Sequence, residues 1–460
     1  MYSQVCPDSV DIAYYSKKDA LNTNVQIVGL NMGVWVWGRY VRKQPFAYID
    51  FNTMKTNFRK GFSWDLDGID VNMLAHPYHG SIYFNSARSN GYNFWQSGIY
   101  ALGGSAMWEL IMESEYPSTS DILATPAGGM AMGETFYRMS DLVLDDRKTG
   151  SDRFGSELVA CLISPSRGLT RILSGDAWKR RSTSGRQFGI SDYQLEVSSG
   201  IQFRNLKDVN GKKTDAVVNI NMEYGDRFSD ENRIPYDYFT LDMDVSTAIA
   251  SAVSHASITG RYAVTGLVDT QNSFLNLGIY QHFDYYSLDS ISGKIPYRLG
   301  VPVAGGIGIF YQNKSRTNFQ LDGYAHLNGI ILGALYTDYF RASDKDYNMA
   351  SGLGWKSGVN LAVKNRFSFS AAYEGYRLFT WAGYPKGLDD NEIQKKTFNI
   401  QGDESQATFQ VIEFKANIPL GKQFYLSGSY RSLTRHTNYK EFPAAFSQTG
   451  ETTFKLGYRF

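Results

Sequence analysis

The chain lacks any run of about 18 consecutive apolar residues, the length a helix needs to cross a bilayer, so no transmembrane helix is expected. It has only 2 cysteines among 460 residues, Cys6 and Cys161, too few for a disulfide framework or a cysteine metal cluster. Net charge is nearly absent: 46 basic residues oppose 45 acidic ones, which gives a polyanion no field to follow and excludes nucleic acid as an expected partner. The start, Met1-Tyr2-Ser3-Gln4, shows neither a charged nor an apolar export region, so any export signal is expected to have been removed or replaced. No nucleophile elbow, H-E-x-x-H, P-loop or clustered metal spacing is found, and no cofactor is expected.

Aromatic residues and alternation, by contrast, are plentiful. Aromatics make up 15% of the chain, with 32 Tyr and 44 Gly, while the mean hydropathy is −0.33. That combination suits a transmembrane barrel, which needs an apolar residue only at every second position. The closing stretch puts Thr452, Phe454, Leu456, Tyr458 and Phe460 on one face and Thr453, Lys455, Gly457 and Arg459 on the other, and it resembles the terminal strand of bacterial outer-membrane proteins.

From Leu195 onward roughly 12 such strands can be read, each near the ~9–11 residues a tilted strand needs. Leu195, Val197, Ile201 and Phe203 oppose Glu196, Ser198, Gln202 and Arg204; Phe239, Leu241, Met243 and Val245 oppose Thr240, Asp242 and Asp244. One such run suits a soluble sandwich. A series with charge on one face and aromatics on the other predicts a transmembrane antiparallel β-barrel over 191–460, in the outer membrane, with lipid as its surroundings. Short turns at Lys364–Arg366, Gly421–Lys422 and Asn313–Arg316 are expected on the periplasmic side, and long loops near 340–353, 380–405 and 435–449 outside. In the 380–405 loop, Trp381, Tyr384 and Pro385 before the acidic Asp389-Asp390-Asn391-Glu392 could form an outer contact.

Before residue 190 the pattern changes to helical segments. After an N-terminal stretch of residues 1–60, the spacing predicts helices over Tyr92–Glu115, Asp121 to about Leu144 with Ser118 or Ser120 as cap, and Ser156–Leu173 broken at Ser164-Pro165. The first, carrying Trp95, Ile99, Leu102 and Trp108, is expected to be buried, with Glu109 and Glu113 on one face. Gly128, Gly129 and Gly133 sit where two helix backbones can approach closely. Glu134 and Arg138 are spaced for an i,i+4 pair.

Two roles remain open for the polar residues. Asn72, His76, Arg88, Glu109, Glu113, Glu134 and Arg138 can satisfy one another and pin an α-helical plug or periplasmic cap, leaving a non-catalytic barrel that passes a small solute or is structural. Alternatively His76 with Glu109 or Glu134 can act as acid and base in a lipid- or lipopolysaccharide-modifying hydrolase, with Arg88 as anion clamp. A third role, docking into a larger outer-membrane complex, needs neither. His255, in Val253-Ser254-His255-Ala256-Ser257, is expected to face the lumen, without the sequence pattern of outer-membrane phospholipases.

One resemblance is dense. Asn72-x-x-x-His76-Pro77-x-x-Gly80, Tyr83-Phe84-Asn85-x-Ala87-Arg88-Ser89-Asn90-Gly91, Gly104-Ser105-x-x-Trp108-Glu109, Glu113, Pro117-Ser118, Asp121, Pro126-x-Gly128-Gly129 and Gly133-Glu134 resemble the DUF3943 domain of Gram-negative bacteria, frequent in Bacteroidota. The resemblance covers about residues 60–165. It implies a Gram-negative membrane context and no mechanism.

Overall fold

In the computed structural model, residues 17–64, 66–188, 192–231, 234–247, 252–314, 319–339, 344–363, 366–384 and 399–460 are described. Cys6 and the acidic run Asp389–Glu392 lie outside them, as do parts of the turns expected at 313–316 and 364–366. The chain divides into two compact units, Met1–Asp65 with Ala75–Ser191, and Leu66–Leu74 with Asp192–Phe460. The described residues 17–60 fall in the same unit as the helices that follow them. Leu66–Leu74, just ahead of His76, leave the helical unit for the barrel.

The helical unit contains α1 (Ala20–Val36), α2 (Phe51–Lys60), α3 (His76–Ser89), α4 (Phe94–Met107), α5 (Thr119–Val143), α6 (Gly150–Ile163) and α7 (Pro165–Leu173). Capping sets their starts: Asn93 and Gln96 form a capping box for α4, and Ser118 accepts from the Asp121 amide at α5. Helix α4 does not continue to Glu115. It widens into a π-helical turn at Trp108–Met112 and stops at Glu113.

Helices α3 and α5 cross backbone to backbone. A Cβ on Gly80 would lie 1.8 Å from the Thr125 carbonyl oxygen, and one on Gly129 would lie 2.5 Å from the Gly80 carbonyl carbon. Gly133 gives room to the Phe84 ring, and Gly128 is buried beside it.

The interior of the helical unit combines aromatic and apolar side chains, among them Ile27, Tyr83, Phe84, Phe94 and Trp108, with many polar ones, while several helices also expose apolar stripes. The buried face of α1 presents Thr23, Gln26 and Asn31, while Leu21, Val25, Val28, Met32 and Val36 are exposed. In α4, Ser97, Gly98, Ala101, Gly104 and Ser105 are buried and Trp95, Ile99 and Leu102 are exposed, contrary to the expectation that this helix lies in a core. Small residues let α4 pack closely on its inner side, so its bulky side chains are left on the outer one.

The barrel comprises twelve antiparallel strands: β1 (Tyr193–Leu206), β2 (Gly211–Tyr224), β3 (Phe239–Ser246), β4 (Val253–Asp269), β5 (Ser273–Ser287), β6 (Arg298–Asn313), β7 (Phe319–Tyr336), β8 (Tyr347–Val363), β9 (Phe367–Thr380), β10 (Ser405–Pro419), β11 (Phe424–Tyr439) and β12 (Ala445–Arg459). Each pairs with its neighbours in sequence, and β1 closes on β12, with Ile201 opposite Phe454. Closure leaves no unpaired edge, which in hydrocarbon would cost several kcal/mol per peptide group.

Alternation then sorts the side chains. Glu196, Gln202, Arg204, Lys356 and Glu451 point inward and are buried, while Ile201, Phe203, Phe414, Phe454 and Leu456 point outward and are exposed.

The barrel ends differ from the expected pattern in two places. Strand β11 runs to Tyr439 and β12 starts at Ala445, so no long loop spans 435–449; Arg435 and Thr437 keep the inward alternation there. At the opposite end, which carries the barrel's two termini, the β2–β3 connection is long while those after β4, β8 and β10 are short.

Candidate functional site

Within the barrel unit, the interior has three storeys. At the end away from the termini the β5–β6 connection folds across the mouth. Its Leu288, Ile291 and Tyr297 pack with inward-facing Leu206, Leu299, Ala407, Phe409 and Leu433 into an apolar stopper. Polar bonds fasten it to the opposite wall: the Tyr297 hydroxyl donates to Glu451 at 2.7 Å, Arg435 Nε donates to the Pro296 carbonyl at 3.2 Å, and Lys294 reaches Asp208 at 3.0 Å.

Beneath the stopper lies a cavity of about 210 Å³, lined among others by Arg227, His255, His282, Tyr286, Tyr324, His326, Lys356, Glu374, Glu413 and Arg431. Its charges are paired. Arg431 lies 3.2 Å from Glu413 and 3.3 Å from Asp244, and Lys356 lies 2.5 Å from Asp284 and 3.7 Å from Glu374. Tyr286 and Tyr376 both donate to Glu374, at 2.9 and 2.7 Å. Paired charges of both signs on facing walls can orient a small polar or zwitterionic solute.

The third storey, nearer the termini, is aromatic: Tyr238, Tyr280 and Phe310, with Phe228 and Tyr324 against them.

His255 lines the cavity against the Tyr286 ring, at 4.5 Å between centroids, and neither of its ring nitrogens has a hydrogen-bond partner. The two serines that flank it in sequence are engaged elsewhere: Ser254 Oγ donates to the Asp244 carbonyl, and Ser257 Oγ donates to Asp284. Among the described residues no group of three or more His, Cys, Asp or Glu is placed to hold a metal ion.

Segment Leu66–Leu74 belongs to this unit too. It lies on the outward face of the wall, because the side chains it meets alternate with lumen-facing ones. Asp70 accepts from the Tyr285 hydroxyl at 2.5 Å, Asn72 Nδ2 donates to the Tyr347 hydroxyl at 2.5 Å, and that hydroxyl donates to the Asp67 carbonyl at 3.0 Å. Met73 fills the space over Gly300. Asn72 thus serves the barrel and not the helical cluster, since the chain is handed from one unit to the other at the π-helical turn Val71–Ala75.

In the helical unit the remaining polar residues form separate groups. Glu134, wholly buried, accepts two bonds from Arg88, at 2.7 and 2.9 Å, and one from Arg138 at 2.9 Å. Burial raises the pKa of its carboxyl, but the two guanidinium groups more than reverse this and hold it below the usual carboxylate range. Tyr137 and Phe188 present ring faces to Arg88, and Phe188 lies 4.0 Å from Arg138.

His76 pairs with Asp121 at 3.3 Å. Glu109 accepts from the Ser118 amide at 2.7 Å, whereas Glu113 accepts from Trp108 Nε1 at 3.1 Å, because the π-helical turn takes the two glutamates off a common face. His79 Nε2 is buried without a hydrogen-bond partner, and burial, reinforced by His76, pushes the imidazole down to about 4.

His76 and Arg88 stand at opposite ends of α3, about 18 Å apart at 1.5 Å per residue, and Glu134 is held at the Arg88 end. The expected pairing of His76 with Glu134 as acid and base is not assembled.

The sequence carried no signal for the stopper, for the lumenal pair of His282 and His326, whose ring nitrogens lie 3.3 Å apart, or for the outer-wall segment. The stopper's residues read as an ordinary loop between two alternating runs.

Residues 61–166 match the family described as "Domain of unknown function (DUF3943)". No curated protein matches the chain. Solved structures that resemble it include the NanC porin, at 9% identity over 56% of this chain and 98% of that one, with a TM-score of 0.30. The DcaP outer-membrane channel of Acinetobacter baumannii is similar at 8% identity over 59% and 97%, with a TM-score of 0.25. The COG4313 outer-membrane channel of Pseudomonas putida F1 is similar at 11% identity over 58% and 95%, with a TM-score of 0.29. Scores this low add nothing to the strand pairing of the chain itself.

Proposed function

We propose that this chain is an outer-membrane β-barrel that admits a small polar solute to a lumenal cavity and is gated by its own β5–β6 connection. The observation that carries this reading is the fastened apolar stopper directly above a polar, charge-paired cavity. A barrel that served only as an anchor would need neither a hollow nor a removable lid over it. The apolar outward face of β9 to β12 and β1, with Phe369, Phe414 and Phe454 exposed, suits a hydrocarbon surround. Solute passage requires the connection to swing aside, breaking the bonds of Tyr297 and Arg435.

Planar-bilayer conductance tests this. The intact chain should show a mostly closed pore, whereas the pair Tyr297→Phe with Arg435→Ala, or replacement of residues 288–297 by a Gly/Ser linker, should give sustained current. Silence from every form would end the passage reading.

A further inference from the structure

The helical unit carries a surface that the conduit reading does not use. Four of its helices bury polar residues and expose apolar ones at helical spacing. In α1 these are Leu21, Val25, Val28, Met32 and Val36; in α4, Trp95, Ile99 and Leu102; in α6, Phe154, Leu158 and Leu162; in α7, Leu169, Ile172 and Leu173. Single exposed apolar residues are normal on soluble proteins, but here stripes recur on helices α1, α4, α6 and α7 while the interior, beside buried Phe84, Phe94 and Tyr137, also takes in several ion pairs.

The interior of this unit holds Glu134 between Arg88 and Arg138, Asp141 against Arg167, and Asp146 against Arg153 and Arg171. Polar groups turned inward to satisfy one another, with bulky apolar side chains outside, is the arrangement expected of helices whose solvent is hydrocarbon.

We infer that the exposed stripes of α1, α4, α6 and α7 are immersed in the acyl chains of the membrane, so that the helical unit is itself a lipid-embedded body. Charge placement supports lipid as the occupant. No charged residue lies between Asp19 and Arg39, and this uncharged stretch is bracketed by Lys17 and Lys18 before it and Arg39, Arg42 and Lys43 after it. Cations at both ends of an apolar helix suit phosphate-bearing headgroups.

No helix among the described residues is long and apolar enough to cross a membrane, and α1, at about 26 Å, falls short of the ~30 Å hydrocarbon core. The stripes are therefore expected to enter a leaflet without spanning it.

This inference does not depend on passage, but it shares the premise that the barrel sits in a bilayer. The test uses the full chain in liposomes, with Cys6 and Cys161 replaced by Ser and a nitroxide attached in turn at Val25→Cys, Leu102→Cys, Leu158→Cys, Asp152→Cys and Phe454→Cys. At the three stripe positions the ratio of oxygen to nickel-chelate collision rates should exceed that at Asp152 by about 3-fold or more and approach that at Phe454.

Ratios equal to Asp152, with Phe454 lipid-like, overturn the inference alone. Low collision with both reagents means that protein covers the stripes, and it overturns the inference as well. An aqueous Phe454 overturns the membrane premise together with it. A diazirine-bearing lipid applied to the unaltered chain guards against damage by the substitutions. It should label the peptides of α1, α4, α6 and α7, and failure to label any of them refutes the proposal.

Discussion

The helical unit and the barrel are built from different secondary structure yet share one feature: each turns most of its paired charges inward and leaves rows of large apolar side chains exposed on its outer side. The barrel achieves this with a wall one residue thick, so inside and outside alternate at period two, as Arg204 and Phe203 or Glu451 and Thr452 show. The helical unit achieves it with helices whose inner faces mix Ser, Gly, Ala, Thr and a few paired ions with Phe94, Met132 and Tyr137, as on α4 and α5.

The comparison teaches how differently the two can be read. A polar lumen and an oily exterior are both written along a single strand. An apolar helix face looks the same whether it meets a protein core or something outside it, and only the packing of its other face distinguishes the two.

The largest way to break the comparison is to remove the ion triad. Glu134→Gln should leave Arg88 and Arg138 buried without a counter-ion and destabilise the helical unit by about 3–5 kcal/mol. The 222 nm signal should melt early while the barrel keeps its heat-modifiable migration on gels. Loss of both together would mean that the two units do not hold their folds separately.

Acid should act on the same unit. An unfolded histidine takes up a proton below its ordinary value of 6.5, whereas buried His79 does so only near 4. The unfolded state therefore binds the extra proton between those values. The contribution of His79 is whole above pH 6.5 and declines as pH falls, by at most about 3 kcal/mol at pH 4. Helical melting temperature should drop across that window in the parent and drop less in His79→Gln, measured by circular dichroism.

The smallest effect is expected on the outer wall. Tyr347→Phe removes the hydroxyl shared by Asn72 and the Asp67 carbonyl and should cost about 1–2 kcal/mol. The readout is faster proteolytic cleavage within residues 64–75, with barrel closure intact.

Much of the barrel was legible because alternation is local. The strand count, the inward charges of β1 to β3 and the closing strand followed from neighbouring residues alone. The loop expected at 435–449 was misjudged because lumenal Arg435 and Thr437 are polar like loop residues, although they hold strand positions. The candidate cluster was only partly legible: the i,i+4 pair of Glu134 and Arg138 follows from helix geometry, whereas the Arg88 partner, 46 residues away, depends on how α3 crosses α5 at Gly80 and Gly129. That Asn72 reaches the barrel's Tyr347 could not be read, because nothing local shows a nine-residue segment leaving one body for another.

The amino-acid order by itself determined that these strands alternate, that they suffice to close a barrel, and that helical segments fill much of residues 61–190, because each property depends on side chains a few positions apart. Tertiary structure alone decided that the β5–β6 connection stops the lumen, that Leu66–Leu74 joins the outer wall, and that the apolar faces of α1 and α4 point away from their unit's interior. Those outcomes depend on which distant groups meet, and a contact between residues such as Tyr297 and Glu451 is selected by the closed geometry of the whole sheet.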